Sequence, residues 1–338
     1  MASSSALWIA LLATLISRWA CTLSFGAPAR QQPISVVRES AGLSISQQAP
    51  KGTFELSGKE KRLASRLAEL GKKGDWQSAR QLYASYQGSA VPVLTAAMQA
   101  AYRCARYKEA AGIYKQLRRS GAIVDKVTLL VGLKIFGKMQ DPVMVDTVWA
   151  EVTERGFVDE LRCGACIDAA AYMGDVEQAA AVLDVMLTRK IGADVYAFNS
   201  AIFACAKAKR PSHNAAMYLF KSLLDNGFSP TIVTFTNLAR AHVKASLEQI
   251  QHVRASMKEY GIPFDQVFAE SYLNALVQGR RLVSARTMQP ITATLADLPE
   301  REGRLKEAQS ALLEIQADNV ELTALCQRFL KYAQQAGL

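Results

Sequence analysis

Histidine, cysteine and the turn-forming residues are all scarce in this chain. Its 338 residues include three histidines, six cysteines, ten prolines and 20 glycines. The histidines, His213, His242 and His252, make no His-Glu-x-x-His arrangement, and there is no Gly-x-Ser-x-Gly turn and no phosphate-binding glycine loop. The low proline and glycine content excludes a low-complexity chain. Cysteines spread over the whole length make no compact disulfide framework, so reduced and mostly buried thiols are expected. Only Cys163 and Cys166 stand close together, as CGAC. A zinc site would need two further ligands, and neither a second Cys-x-x-Cys nor a nearby histidine supplies them. Long apolar runs are also missing. One stretch, ALWIALLATLI at 6–16, is apolar apart from Thr14, and it is too short for a bilayer, which takes about 20 residues. No membrane-spanning segment is expected after it. These absences argue against a metal, a cofactor and intrinsic catalysis.

What the chain has is apolar bulk and positive charge. Half of its residues are apolar, enough for a sizeable core. The net charge of +10 favours a polyanionic partner, most simply nucleic acid.

The N-terminus reads as a leader in two parts. Residues 1–25 contain the short apolar run followed by small residues, the layout of a signal peptide, although MASSS lacks the usual basic start. Residues 26–55 are rich in Ser, Gln, Gly and Ala, and residues 1–59 carry five basic side chains against only Glu39 and Glu55. That is transit-peptide composition. A signal core followed by a transit-like tract resembles the leaders of proteins imported into complex plastids, in which a Phe follows the signal cleavage point. Phe25 in SFGAPAR takes that place. Plastid targeting is expected, with secretion or a mitochondrial presequence as alternatives.

The body repeats. Residues 91–125 and 160–194 are both 35 long, and residues 195–231 are two longer. Each opens with an apolar segment of helical spacing, turns through a short polar or glycine-containing stretch such as MGD at 173–175, and continues into an alanine-rich segment. There Ala110 precedes Ile113–Tyr114, Ala179 precedes Val182–Leu183, and Ala216 precedes Leu219–Phe220. Each unit closes with Gly or Lys, a short loop and usually Asp. The frame extends to units near 60–90, 126–159, 232–265 and 266–300, giving an array over 56–300. Residues 301–338 read as a C-terminal helical cap or last partial repeat, with REGRLKEAQSALLEI as a second helix or part of a capping pair. Helix hairpins cannot bury their apolar faces alone, so the expected fold is all-α, a superhelical solenoid of helix-turn-helix units. Cys163 and Cys166 then fall on the buried stripe of a first helix, aligned with Phe198 and Ala201, as packing residues.

Tetratricopeptide repeats have nearly this length, but their first-helix Trp, Leu-Gly and Tyr are missing here. VYAFNSAI at 195–202, LLDNGFSPT at 223–231, IVTFTNLA at 232–239 and SMKEYGIPFD at 256–265 resemble the pentatricopeptide repeat family. The resemblance covers about 60–300 and is strongest over 195–265. It implies a right-handed superhelix that binds single-stranded RNA, one base per unit. It also implies roles for particular places. Apolar residues at the second place of successive units would clamp bases: Pro92, Val127, Leu161, Tyr196, Val233 and Val267. The fifth residue and the last would read the base edge. Thr95 with Asp125, and Thr236 with Asp265, match the family's guanine pairing. Asn199 resembles a pyrimidine reader, with an unusual partner in Thr231. Leu130, Gly164 and Glu270 depart from the pattern, and their units are not expected to read a base. The thirteenth place would contact the phosphate backbone, and it holds Lys72, Arg103, Lys138, Lys207 and Lys244, broken by Tyr172 and Gln278.

Charge supports two RNA-contacting blocks with a spacer. Residues 60–125 hold 12 basic and 5 acidic side chains, residues 126–194 hold 7 and 11, and residues 195–265 hold 8 and 4. The acidic middle coincides with the units that lack reading residues. The expected function is a single-stranded RNA-binding adaptor for organellar transcripts, acting in stabilisation, processing or translation. RNA-processing proteins are its further partners, and the mature chain is expected to be a monomer away from membranes. The competing reading is a scaffold that binds protein segments, which has no use for a basic row combined with the Thr–Asp pairs.

Overall fold

The computed structural model describes residues 56–280, 282 and 294–337; the expected leader over 1–25 and 26–55 lies outside the described residues. Fifteen helices and no strand occur among the described residues. They alternate as first and second helices of successive units: α1 Gly58–Lys73 and α2 Trp76–Ala84; α3 Val91–Arg103 and α4 Tyr107–Arg119; α5 Lys126–Met139 and α6 Pro142–Glu154; α7 Glu160–Met173 and α8 Val176–Thr188; α9 Val195–Lys207 and α10 His213–Asp225; α11 Ile232–Ala241 and α12 Leu247–Glu259. Three more follow, α13 Gln266–Leu276, α14 Arg301–Ala317 and α15 Ala324–Gln335. No described helix is long and apolar enough to cross a membrane.

Local chemistry sets these boundaries. The aspartate closing a unit is the N-cap of the next first helix: Asp125, Asp159, Asp194 and Asp265 each accept a hydrogen bond from the backbone N–H three residues on. Such a cap contributes about 1 kcal/mol. Asp75, Asp141, Asp175, Ser212 and Ser246 cap the second helices in the same way. After α4 the chain reverses through Gly121 at φ 68°, a left-handed conformation that glycine adopts without a steric penalty.

First helices stack on first helices, and each second helix packs outside against its own unit and the next. Small residues permit the closest approaches. A Cβ at Gly71 would lie 2.6 Å from the Ala100 Cα, and one at Gly137 2.7 Å from the Ala169 Cα. Phe136, Phe198, Phe235 and Phe268 fill the core between the layers, each contributing about 1.5–3 kcal/mol by burial. Cys163 and Cys166 belong to this core as expected; burial pushes the Cys163 thiol up to about 11 and raises the Cys166 thiol as well.

The seventh unit is split. Its first helix is α13, but the helix that packs as its second is α14, which begins after residue 300. Residues 305–323, LKEAQSALLEIQADNVELT, lie in register with 107–125, YKEAAGIYKQLRRSGAIVD. Buried Ala308, Leu312 and Ile315 stand where Ala110, Tyr114 and Leu117 stand, and Asn319 takes the left-handed turn of Gly121. The boundary expected at 300 therefore moves to Thr323. That residue caps α15, which lies against α13 as the first helix of an eighth unit. In the inserted segment Leu282, Leu295 and Leu298 are buried, and Arg280 donates to the Asp297 carboxylate at 2.9 Å and to its carbonyl at 3.0 Å.

Candidate nucleic-acid interface

The second residue of a first helix points away from the partner helices, because the third and fourth face the core. The apolar side chains expected to clamp bases are accordingly exposed. Leu161 is 64% accessible, Tyr196 63%, Val233 and Val267 51%, and Val127 39%, with Pro92 exposed as well. Their near neighbours Phe198, Phe235 and Phe268 are fully buried. A row of large apolar side chains in water, one per unit, is not explained by packing.

Between these side chains lies a polar floor. Thr95, Asn199 and Thr236 are nearly buried. The Thr95 hydroxyl lies 2.8 Å from that of Thr128, which donates to Asp125 Oδ1 at 2.7 Å. The fifth and last residues of this unit are thus joined through the third residue of the next. The same bridge recurs one block later. Thr234 Oγ1 donates to Asn199 Oδ1 at 2.7 Å, and Asn199 Nδ2 donates to Thr231 Oγ1 at 3.4 Å. The third pair differs. Phe268 occupies the bridging place, so the Asp265 carboxylate accepts only from the Phe268 N–H, and the Thr236 hydroxyl has no hydrogen bond among the described residues. In the acidic middle Arg162 takes that place; it pairs with the carboxylate of Asp159, the last residue of the unit before, and donates to the carbonyls of Phe157 at 2.7 Å and Lys126 at 2.8 Å. Leu130 and Gly164 place no polar group on the floor.

The thirteenth-place cations line the end of the first helices. Lys72, Arg103, Lys207 and Lys244 are exposed and Lys138 is half-buried. None of the five forms an ion pair among the described residues. The two residues that break the series support it. Tyr172 accepts a hydrogen bond from Lys138 Nζ, which lies 3.8 Å from the centre of the ring. The Gln278 carbonyl accepts from Lys244 Nζ at 3.4 Å.

Several groups on this face escaped the sequence reading. Asp168 accepts from Ser200 Oγ at 2.8 Å and from the Tyr196 phenol at 3.3 Å. Burial holds its carboxyl above the ordinary carboxylate range, against those hydrogen bonds and nearby Lys134 and Lys138. Thr323 is the last residue of the split unit and shares a cavity with Glu270, the fifth. The likeness of LKEA at 305–308 to YKEA at 107–110 was the signal that could have placed it. Among the described residues no group of three or more His, Cys, Asp or Glu side chains could hold a metal ion.

No family model matches the chain, and no curated protein matches it. Among solved structures it is similar to the pentatricopeptide repeat protein PPR10 in complex with an 18-nt psaJ RNA element. The identity is 19% and the TM-score 0.49, covering 82% of this chain and 44% of that one. It is also similar to a structure of the pentatricopeptide repeat protein PPR10 from maize, at 14% identity and TM-score 0.43 over the same shares. The chain thus spans less than half the length of these structures.

Proposed function

We propose that this chain is a pentatricopeptide repeat protein that binds single-stranded RNA along the face of its first helices, and that it acts on organellar transcripts without chemistry of its own. The observation that carries the reading is the pairing, in the four units that open with α3, α5, α9 and α11, of an exposed apolar side chain at the second place with an ion-pair-free cation at the thirteenth. Bases stack between the apolar side chains and their edges reach the polar floor, while phosphates follow the cations. The two bridged pairs, Thr95–Asp125 and Asn199–Thr231, and the pair Thr236–Asp265 read bases in the two basic blocks. The acidic middle separates them. The leader composition supports delivery to a complex plastid, which a fluorescent protein fused behind residues 1–55 tests in an alga that has one.

The deciding experiment is a titration of the purified chain against a fluorescent pool of random single-stranded RNA at several salt concentrations, with duplex DNA as control. Saturable binding to RNA over duplex DNA, weakening as salt rises, supports the reading. No retention of RNA at low salt overturns it and leaves the first-helix face to peptide partners.

A further inference from the structure

The split seventh unit carries a cavity that the sequence pattern assigns no role. It measures about 350 Å³ and is lined by Arg240, Val267, Glu270, Ser271, Asn274 and Thr323, among others. It lies on the first-helix face, with the exposed Val267 at its mouth. Glu270 is exposed, and its carboxylate forms neither an ion pair nor a hydrogen bond among the described residues. Arg240 on the preceding first helix uses its Nε to donate to Ser271 Oγ at 3.1 Å, and it too has no ion pair among the described residues. A carboxylate and a guanidinium therefore line one cavity without neutralising each other. The unpaired groups call for a ligand that presents adjacent hydrogen-bond donors to the carboxylate and an anion to the guanidinium. The insertion between α13 and α14 does not remove the last residue of the unit. It delivers Thr323 as the N-cap of α15, as Asp125 is the N-cap of α5, and brings it to the cavity that Glu270 lines.

We propose that this cavity is a guanosine subsite. The carboxylate of Glu270 accepts from the N1–H and the N2 amino group of guanine, which lie side by side on the base edge. Adenine, cytosine and uracil offer no such pair of donors to two acceptor oxygens. Thr323 and Asn274 flank the base, Val267 covers it, and Arg240 holds the adjoining phosphate. The proposal rests on the RNA-binding reading above, and it overturns the expectation that the seventh unit reads nothing.

The test is selection of bound sequences from a random RNA pool by the full wild-type chain, Glu270→Gln, Glu270→Ala and Arg240→Ala, with GMP and AMP as competitors. The wild type should enrich guanine at one position that both Glu270 variants lose by about tenfold or more, other positions being unchanged. Removing a negative charge from the groove should not weaken their total RNA binding. Arg240→Ala should weaken binding to every sequence and keep the guanine. GMP displacing RNA better than AMP from the wild type, and not from Glu270→Gln, would assign the subsite to free nucleotide; equal competition with guanine still enriched assigns it to the strand. If the wild type retains no RNA, the reading of the whole face falls and the subsite with it. If all four chains select the same sequence, the subsite alone is overturned.

Discussion

The ammonium of Lys138 stands 3.8 Å from the centre of the Tyr172 ring and hydrogen-bonds its phenol oxygen. A residue that interrupts the basic row in sequence thereby fixes the preceding member of that row in space. A cation–π contact that water still reaches contributes about 0.5–1 kcal/mol. Tyr172→Ala should therefore lower RNA affinity about two- to fivefold on all sequences alike. Tyr172→Phe, which keeps the ring, should retain most of it. Parallel titrations of the two variants on a mixed-sequence RNA check this.

The cap role of the closing aspartates bears on any test of base reading. Asp125→Ala removes the N-cap of α5 and should cost about 1 kcal/mol of stability. Asp125→Asn keeps the cap and should leave the melting temperature nearly unchanged while altering base preference at one position. Thr128→Val leaves the Thr95 hydroxyl without its bridge and should cost about 1 kcal/mol. Chemical denaturation of the three variants, alongside selection of bound sequences, separates folding from recognition. If Asp125→Asn selects the wild-type sequence, Asp125 is a cap and nothing more.

Much of this architecture was legible because it is periodic. The alternation of apolar segments, the alanine before an apolar pair and the closing aspartate mark the helix hairpins through residue 276. They also put Tyr196 and Val233 at the second place of their helices, where both are exposed. The bridge from Thr95 through Thr128 was not legible, because it joins residues of different units across a helix interface and has no local pattern. The split unit was hidden for a different reason. Residues 277–300 carry buried leucines at irregular spacing, so the period breaks there and resumes only at LKEA. Glu270 and Thr323 are 53 positions apart in numbering, and only the packing of α14 on α12 and α13 shows that they close one unit.

Burial raises the Asp168 carboxyl above its ordinary range. The folded chain then binds more protons than the unfolded one around that range, and this group lowers stability as pH rises through it. Asp168→Asn should raise the melting temperature at neutral pH and make little difference below about pH 4. The same change removes a negative charge from the first-helix face, so RNA affinity at neutral pH should rise severalfold with base preference intact. Melting curves and titrations at both pH values test the two halves separately.

His242 works in the opposite sense. Burial lowers its imidazole to about 4, with His213 and His252 adding to the shift and the bond to the Leu238 carbonyl opposing it. The ring is neutral in the fold and charges on unfolding below its ordinary value near 6.5. Stability is complete above that value and is lost as pH falls toward 4. Between pH 7 and 5 the loss should reach about 2 kcal/mol. His242→Gln should flatten that slope in denaturation measured across the interval.

Arg304 decides whether the split unit holds together. It is 1% accessible, donates from Nη2 to the Ala245 carbonyl at 2.7 Å, and lies within 3.4 Å of the Leu276 carbonyl. Those carbonyls follow the first helix of one unit and end that of the next, so a single guanidinium on α14 ties three elements together. Its one carboxylate partner among the described residues, Glu300, is half exposed, and the charge is held mainly by backbone oxygens. Arg304→Ala leaves two carbonyls without donors, at about 1–3 kcal/mol each. Arg304→Lys restores one donor but lacks the fork that reaches both, so it should recover only part of the loss. The damage should be local: hydrogen exchange should quicken in α13, α14 and α15 and remain slow in α3 through α9, because units in such an array touch only their neighbours. Exchange that quickens equally along the whole array would mean that the C-terminal units fold as one block with the rest, and that Arg304 is not the tie that closes the seventh.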